Sequence, residues 1–310
     1  MALNILESVM NKRAVNTVIS MSDQPNLNNF SHLKRFKGCY RLVGLSAKID
    51  RNKKPYWVVQ LSDLHHCVSA YLFSVPMNIH DFHHGAMLQC EMTIKLHKHN
   101  KYLHLTYIEK ASNTLCIKKA GLHSLPCALS PDKSLLPLFY SLVESMESNA
   151  LKEFIAEVLM PSSVCVPFIQ APASLNYHHN DPGGLLAHSI EVAQTVANVP
   201  WQDSNNRDLA ITAALLHDIG KVKTLTANMR RTTIGRWVDH DALTLEVCSK
   251  ALATLERLDE NNAILLRHIW SCASPGARYG YKAATPIASA IQGADRLSAD
   301  MAKTPTSALC

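Results

Sequence analysis

Hydrophobic and polar positions along this chain follow two different rhythms. In the first half, apolar, β-branched and aromatic residues alternate or cluster in five short runs: 39–49, 56–64, 67–73, 87–96 and 102–109. Polar breakers separate them, such as Asp50-Arg51-Asn52-Lys53-Lys54-Pro55 and the turn-like His99-Asn100-Lys101. A period of two with turn residues between runs is the mark of strands. Five strands in about 75 residues predict a small barrel, and the OB fold is the commonest five-stranded barrel of that size.

From residue 135 onward the apolar residues recur at threes and fours, and the segments 138–159, 185–199, 208–219, 242–258, 263–271 and 286–301 are predicted helices. Gly220 follows an apolar run where a helix would stop. Residues 113–134 mix Ser, Pro, Asn and Lys without a period, and the start of the chain ends in the polar stretch SDQPNLNNF. The expected organisation is therefore an N-terminal arm at 1–30, an OB-like nucleic-acid-binding domain at 31–112, a linker at 113–134 and an all-α domain at 135–310. The fold class is α+β multidomain, a five-stranded β-barrel followed by helices.

Composition narrows the function classes. The chain is 47% hydrophobic and 18% charged, as in an ordinary soluble globular protein. No apolar run reaches the roughly 18 residues of a membrane span, and the first residues lack a long apolar stretch before a small-residue cleavage site. A cytoplasmic protein with no membrane partner is expected. The nine cysteines form no CxxC pair, which argues against both a zinc knuckle and a disulfide framework. The net charge of +6 divides unevenly, +9 over residues 1–130 and −3 over the rest. The front part is thus the candidate polyanion binder.

The candidate chemistry lies in the helical half, where imidazoles and carboxylates fall at predicted helix ends. His188 stands in GGLLAHS, His217 and Asp218 in ALLHDIGKV, His240 in WVDHDA, His268 in LLRHIWS and Asp295 in QGADRLS. Such mixed ligands suit divalent cations. Adjacent residues diverge by about 100° within a helix, but at its last turn His217 and Asp218 can face one ion. Lys221 follows one turn later, either as a cation for phosphate or as a solvated helix-end charge.

These residues resemble the HD-domain phosphohydrolases, whose pattern is one His, then an HD doublet, then a distal Asp; the likeness spans about residues 170–303. The resemblance implies that His188, His217, Asp218 and Asp295 hold one metal, that His240 and His268 support a second, and that Asp218 bridges them. It implies two divalent ions, Mn, Fe or Mg, with Asp218 and Lys221 as catalytic groups.

The segment PASLNYHHNDPGGLLAHS is similar to the entrance of the HD domain in two families. One is the 3′-to-5′ exoribonucleases that join OB and HD domains (the YhaM type); the other is the TraI-type (MobH) conjugative relaxases. By analogy His178 and His179 contact substrate, although loop histidines can equally face solvent. The exonuclease pattern carries further histidines four and five positions after His268, where this chain has Cys272 and Ala273.

An OB barrel guides a single strand with cations and aromatic platforms. The candidates are Lys53, Lys54, Tyr56, Trp57, Tyr71, Phe73, Lys95, Lys98, Lys101 and Tyr102, with Lys54, Trp57, Tyr71 and Lys98 foremost. The leading reading is a metal-dependent 3′-5′ exonuclease acting on single-stranded RNA or DNA. The alternatives are a relaxase-like DNA-processing protein of a mobile element and an HD phosphohydrolase of small nucleotides.

Overall fold

The computed structural model describes residues 24–30, 32–74, 79–111, 120–176, 179–273, 276–278 and 280–301. Contacts between residues divide the chain after Ser124 into two compact units.

The first unit is a closed barrel of five strands, β1 (Arg35–Ile49), β2 (Pro55–Ser62), β3 (Cys67–Leu72), β4 (Met87–His97) and β5 (Asn100–Lys110). β1 is long enough to pair with β4 through its first half and with β2 through its second, and the register shifts between Leu42 and Gly44 where it changes partner. β3 then meets β5 in parallel at Ala70–Leu103 and Tyr71–His104, which closes the ring. The order β1-β2-β3-β5-β4 with a parallel closing pair is that of the OB fold. Inward positions fill the interior with Phe36, Tyr40, Leu42, Leu61, Leu88, Met92 and Leu105.

Two features of the barrel lie outside what periodicity reveals. Leu27, assigned from sequence to the arm, is 1% exposed and packs in the barrel core, and its backbone N–H donates to Asp63 Oδ2 at 2.6 Å. Tyr40 reaches the same segment by donating its hydroxyl to Pro25 O at 2.7 Å. Residues 24–30 thus complete the barrel, whereas residues 1–23 of the expected arm lie outside the described residues. The β4–β5 turn holds Lys98 and His99 at φ of 46° and 67°, the paired left-handed conformation that a two-residue hairpin turn demands.

The second unit is helical: α1 (Leu135–Glu144), α2 (Asn149–Leu159), α3 (Ser162–Gln170), α4 (Gly184–Ala197), α5 (Ser204–Leu216), the single turn α6 (Lys221–Thr224), α7 (His240–Leu258), α8 (Glu260–Ser271) and α9 (Pro286–Met301). α5 runs through the middle and packs against α1, α2, α4, α8 and α9. Its residues Leu209 to Leu216 are therefore fully buried on every side, as a central helix requires. Asp203 caps its start by accepting from Asn206 N at 2.7 Å. Trp270 of α8 anchors the far wall by donating Nε1–H to Ala213 O at 3.0 Å.

The predicted helix at 138–159 is two helices. Asp208 of α5 is 1% exposed, and its Oδ2 accepts from the backbone of Glu147 and Ser148 at 2.7 and 2.8 Å, which breaks the helix there. α3 was not predicted, because Pro167 sits inside it. Among the described residues no single helix is long and apolar enough to cross a membrane.

Candidate metal centre

Three elements bring the candidate ligands together. α4 and α5 are the most extensively packed pair of helices, and α9 lies across both. His188 sits in the second turn of α4, His217 caps the end of α5, and Asp295 lies in the third turn of α9. The ligating atoms of His188, His217 and Asp295 all lie within 4.8 Å of one another. Nε2 of His188 is 3.2 Å from Nε2 of His217 and 3.1 Å from Asp295 Oδ1. Asp218 Oδ2 is 3.5 Å from each of the two imidazoles. The other carboxylate oxygen, Oδ1, faces His240 Nε2 at 3.1 Å.

These separations fit a divalent ion. Ligands at about 2.0–2.2 Å from one cation, at angles of roughly 90° to 115°, stand about 2.9–3.7 Å apart. The donor set of imidazole nitrogens and carboxylate oxygens suits Mn, Fe, Zn or Mg. Each imidazole also has its other nitrogen engaged: Nδ1 of His217 on Ala214 O at 2.8 Å, Nδ1 of His188 on Ser298 Oγ at 3.1 Å, and Nδ1 of His240 on Asp239 Oδ1 at 2.6 Å. That leaves Nε2 of all three turned inward, the orientation that metal-binding histidines acquire from their outer hydrogen bonds.

Local packing fixes the HD doublet. Gly220 adopts φ −59°, so no left-handed cap is used here. Its necessity is steric: a Cβ would stand 2.0 Å from His240 O and 2.7 Å from Thr244 N. The turn after α5 thus lies directly on the start of α7, which brings His240 to Asp218. Thr244 staples the contact by accepting from Gly220 N at 3.1 Å and lying 3.1 Å from His217 O. At the other side Gly183 takes φ 83° as the N-cap of α4, and a Cβ on Gly184 would strike His179 O.

The electrostatics follow from burial and crowding. Asp218 is 4% exposed; burial alone would raise its carboxyl, but Lys221, His217 and His240 hold it well below the ordinary range. Asp295 shows the same balance, with burial opposed and overcome by His188 and His217, and its carboxyl is lowered. Burial pushes the His188 imidazole down, although its hydrogen bond to Asp295 works the other way. In His217 and His240 the burial effect is overcome, chiefly by Asp218, and both are raised. Asp218 and Asp295 are thereby kept ionised.

The other sequence candidates divide. Lys221 Nζ is 2.5 Å from Asp218 Oδ2, paired with the HD aspartate and only partly exposed. His179 lies beside the centre, its ring tilted against that of His188 with centroids 5.5 Å apart; His178 lies outside the described residues. His268 lies apart from these ligands. Its Nε2 accepts from Ala284 N at 3.0 Å, and it belongs to none of the ligating groups that the described residues form. Cys272, one turn on, donates to Ile269 O and accepts from Gln292 Nε2 at 3.4 Å.

In the barrel, Tyr71 belongs to an outward aromatic row with Tyr56, Phe73, Tyr102 and His104, with successive ring centroids 5.4–6.3 Å apart. Strand register sets Lys48 opposite Tyr56 and Lys95 opposite Tyr102 on the same face. Trp57, one residue on from Tyr56, is half-buried and packs against the barrel core with its ring edge on His80. Lys54 and Lys98 are exposed in the β1–β2 and β4–β5 turns.

Sequence reasoning missed a hydrogen-bonded relay. Glu191, three residues past His188 on α4, accepts from Ser298 Oγ at 3.0 Å, and its Oε2 is 2.6 Å from His179 Nε2. Ser298 in turn contacts His188 Nδ1, so Glu191 ties the entrance loop to a ligand imidazole. The spacing of Glu191 from His188 was a signal, since residues at i and i+3 share a helix face. Asp239 and Asp241, which flank His240, were also overlooked.

Residues 185–300 match the HD domain family model. The dihydroneopterin 2′,3′-cyclic phosphate phosphodiesterase of Methanocaldococcus jannaschii is 30% identical over 132 residues, 38% of this chain and 51% of that protein. The 3′-5′ exoribonuclease YhaM of Bacillus licheniformis is 32% identical over 107 residues, 33% of each chain. The matched part thus spans about half or less of these relatives' own length. The barrel is similar to the second OB-fold domain of replication protein A from Methanococcus maripaludis, at 13% identity and a TM-score of 0.19, covering 32% of this chain and 99% of that one. The barrel's assignment rests on its strand order. The chain thus joins an OB-fold barrel to a helical unit whose residues 185–300 are an HD domain.

Proposed function

We propose that this chain is a divalent-metal-dependent phosphodiesterase that shortens single-stranded RNA or DNA from its 3′ end. The observation that carries the reading is the convergence of His188, His217 and Asp295 within 4.8 Å, with Asp218 lying between them and His240. The chemistry that bound Mn, Fe or Mg ions supply is Lewis acidity toward phosphorus and a lower pKa for attacking water.

The chain's own residues do the rest. Asp218 and Asp295, kept ionised, supply the negative charge that retains cations in the centre. Lys221, held on Asp218, has a positive charge available to a phosphate oxygen in the transition state. His179, beside His188, is poised as a substrate contact. The row Tyr56, Tyr71, Phe73 and Tyr102 with Lys48 and Lys95 offers successive stacking faces and cations, the combination that holds a single strand without reading its sequence. The YhaM relatives carry the name of a 3′-5′ exoribonuclease, which supports both the substrate class and the direction.

The test is incubation of 5′-labelled single strands with the purified chain and Mn²⁺. Progressive 3′ shortening is expected, with none from Asp218→Ala. Intact strands throughout would overturn the reading. A second reading, a phosphodiesterase of small cyclic nucleotides, is favoured by the M. jannaschii relative. It predicts turnover of a 2′,3′-cyclic nucleotide with strands left intact.

A further inference from the structure

We infer that Asp241, and not His268, completes a second cation half-site with His240 and Asp218. The inference rests on the reading of the centre as a divalent-metal site. It concerns which side chain supplies the missing ligand.

Asp218 presents its two oxygens to opposite sides. Oδ2 faces His188 and His217, while Oδ1 faces His240 Nε2 at 3.1 Å. On that second side Asp241 Oδ1 stands 3.3 Å from the same Nε2. Both spacings fall within what two ligands of one ion subtend at about 2.0–2.2 Å. Asp239, on the other flank of His240, takes a different part: its Oδ1 binds Nδ1 at 2.6 Å and so turns Nε2 toward Asp218 and Asp241. One aspartate orients the imidazole and the other lies on its ligating side.

His268 is engaged elsewhere, because the lone pair on its Nε2 receives the Ala284 N–H at 3.0 Å. The next helix-end positions are Cys272, whose sulfur already has two hydrogen-bond partners, and Ala273, which has no ligand atom. Charge points the same way. Asp218 and Asp295 supply two ligating carboxylates, with the Lys221 ammonium against them; Asp241 adds a third on the side of the second cation. Its side chain is 70% exposed, so packing does not hold it in place and a substitution there leaves the core intact.

The experiment counts Mn²⁺ bound to the full chain after chelator treatment, by calorimetric titration with free Mn²⁺ followed by electron paramagnetic resonance. The wild type is expected to take two ions, and Asp241→Asn and Asp241→Ala one each over the same range. His268→Ala should still take two, and Asp295→Ala should lose the first. Circular dichroism melts confirm that each variant is folded. Two ions retained by both Asp241 variants, or one lost from His268→Ala, would overturn the inference. So would a wild type that takes one ion, an outcome that leaves the hydrolase reading standing; no uptake at all would sink both.

Discussion

Replacing Gly220 by alanine is the sharpest test of how the fold makes the centre. The backbone of Gly220 already has helical angles, so alanine is allowed there, and helix propensity alone would favour it by up to about 1 kcal/mol. Packing opposes this. The added Cβ would lie 2.0 Å from His240 O, 2.7 Å from Thr244 N and 2.9 Å from His240 C, all main-chain atoms that no rotamer change can remove. Overpacking of this kind costs about 1–3 kcal/mol and outweighs the propensity gain. Gly293 in α9 is the control, because a Cβ there meets nothing within 4 Å; its alanine variant should gain about 0.4–1 kcal/mol. Urea unfolding followed by tryptophan fluorescence reads the helical unit, which holds Trp201, Trp237 and Trp270. The two alanines should move the midpoint in opposite directions, and Gly220→Ala should also weaken Mn²⁺ binding by displacing His240 from Asp218. A Gly220→Ala protein as stable as wild type would refute the steric account.

Three further outcomes are expected. Thr244→Val keeps the shape of a fully buried side chain but strands Gly220 N–H and its partner carbonyls, at a cost of about 1–3 kcal/mol read from the same urea midpoint. Glu191→Ala removes the acceptor that joins His179 to Ser298 and His188, and Mn²⁺ affinity in calorimetry should fall about 10- to 100-fold with the fold retained. Tyr71→Ala takes one ring from the outer row and should weaken oligonucleotide binding by about 1–3 kcal/mol in fluorescence anisotropy, whereas hydrolysis of a small diester such as bis(p-nitrophenyl) phosphate should be unchanged.

Much of this architecture is legible in the sequence because it is local. Alternation from residue 39 onward marks the strands, and apolar residues at threes and fours mark most helices. What escaped depends on partners distant in the chain. The break between α1 and α2 is made by Asp208, about 60 residues away, and no period in 138–159 announces it. Leu27 joins the barrel core through a polar stretch that reads as an arm. The convergence of His188, His217, Asp218 and Asp295 was expected from the resemblance to the HD-domain phosphohydrolases that their residue types and spacing carry. His268 shows where that logic stops: a sequence supplies an imidazole but not the direction of its lone pair, which here meets the Ala284 backbone. Trp57 faces the core side while Tyr56 faces out, since one step along a strand exchanges the inner face for the outer.

The parallel meeting of β3 and β5 has a consequence for recognition. Among the described residues the pairs Ala70–Leu103 and Tyr71–His104 occupy part of the main-chain ladder that a guest strand could otherwise zip onto. A strand lying on the outer row would be held there by side chains, so that its affinity could be retuned one tyrosine or lysine at a time without touching the hydrogen bonds that keep the ring shut.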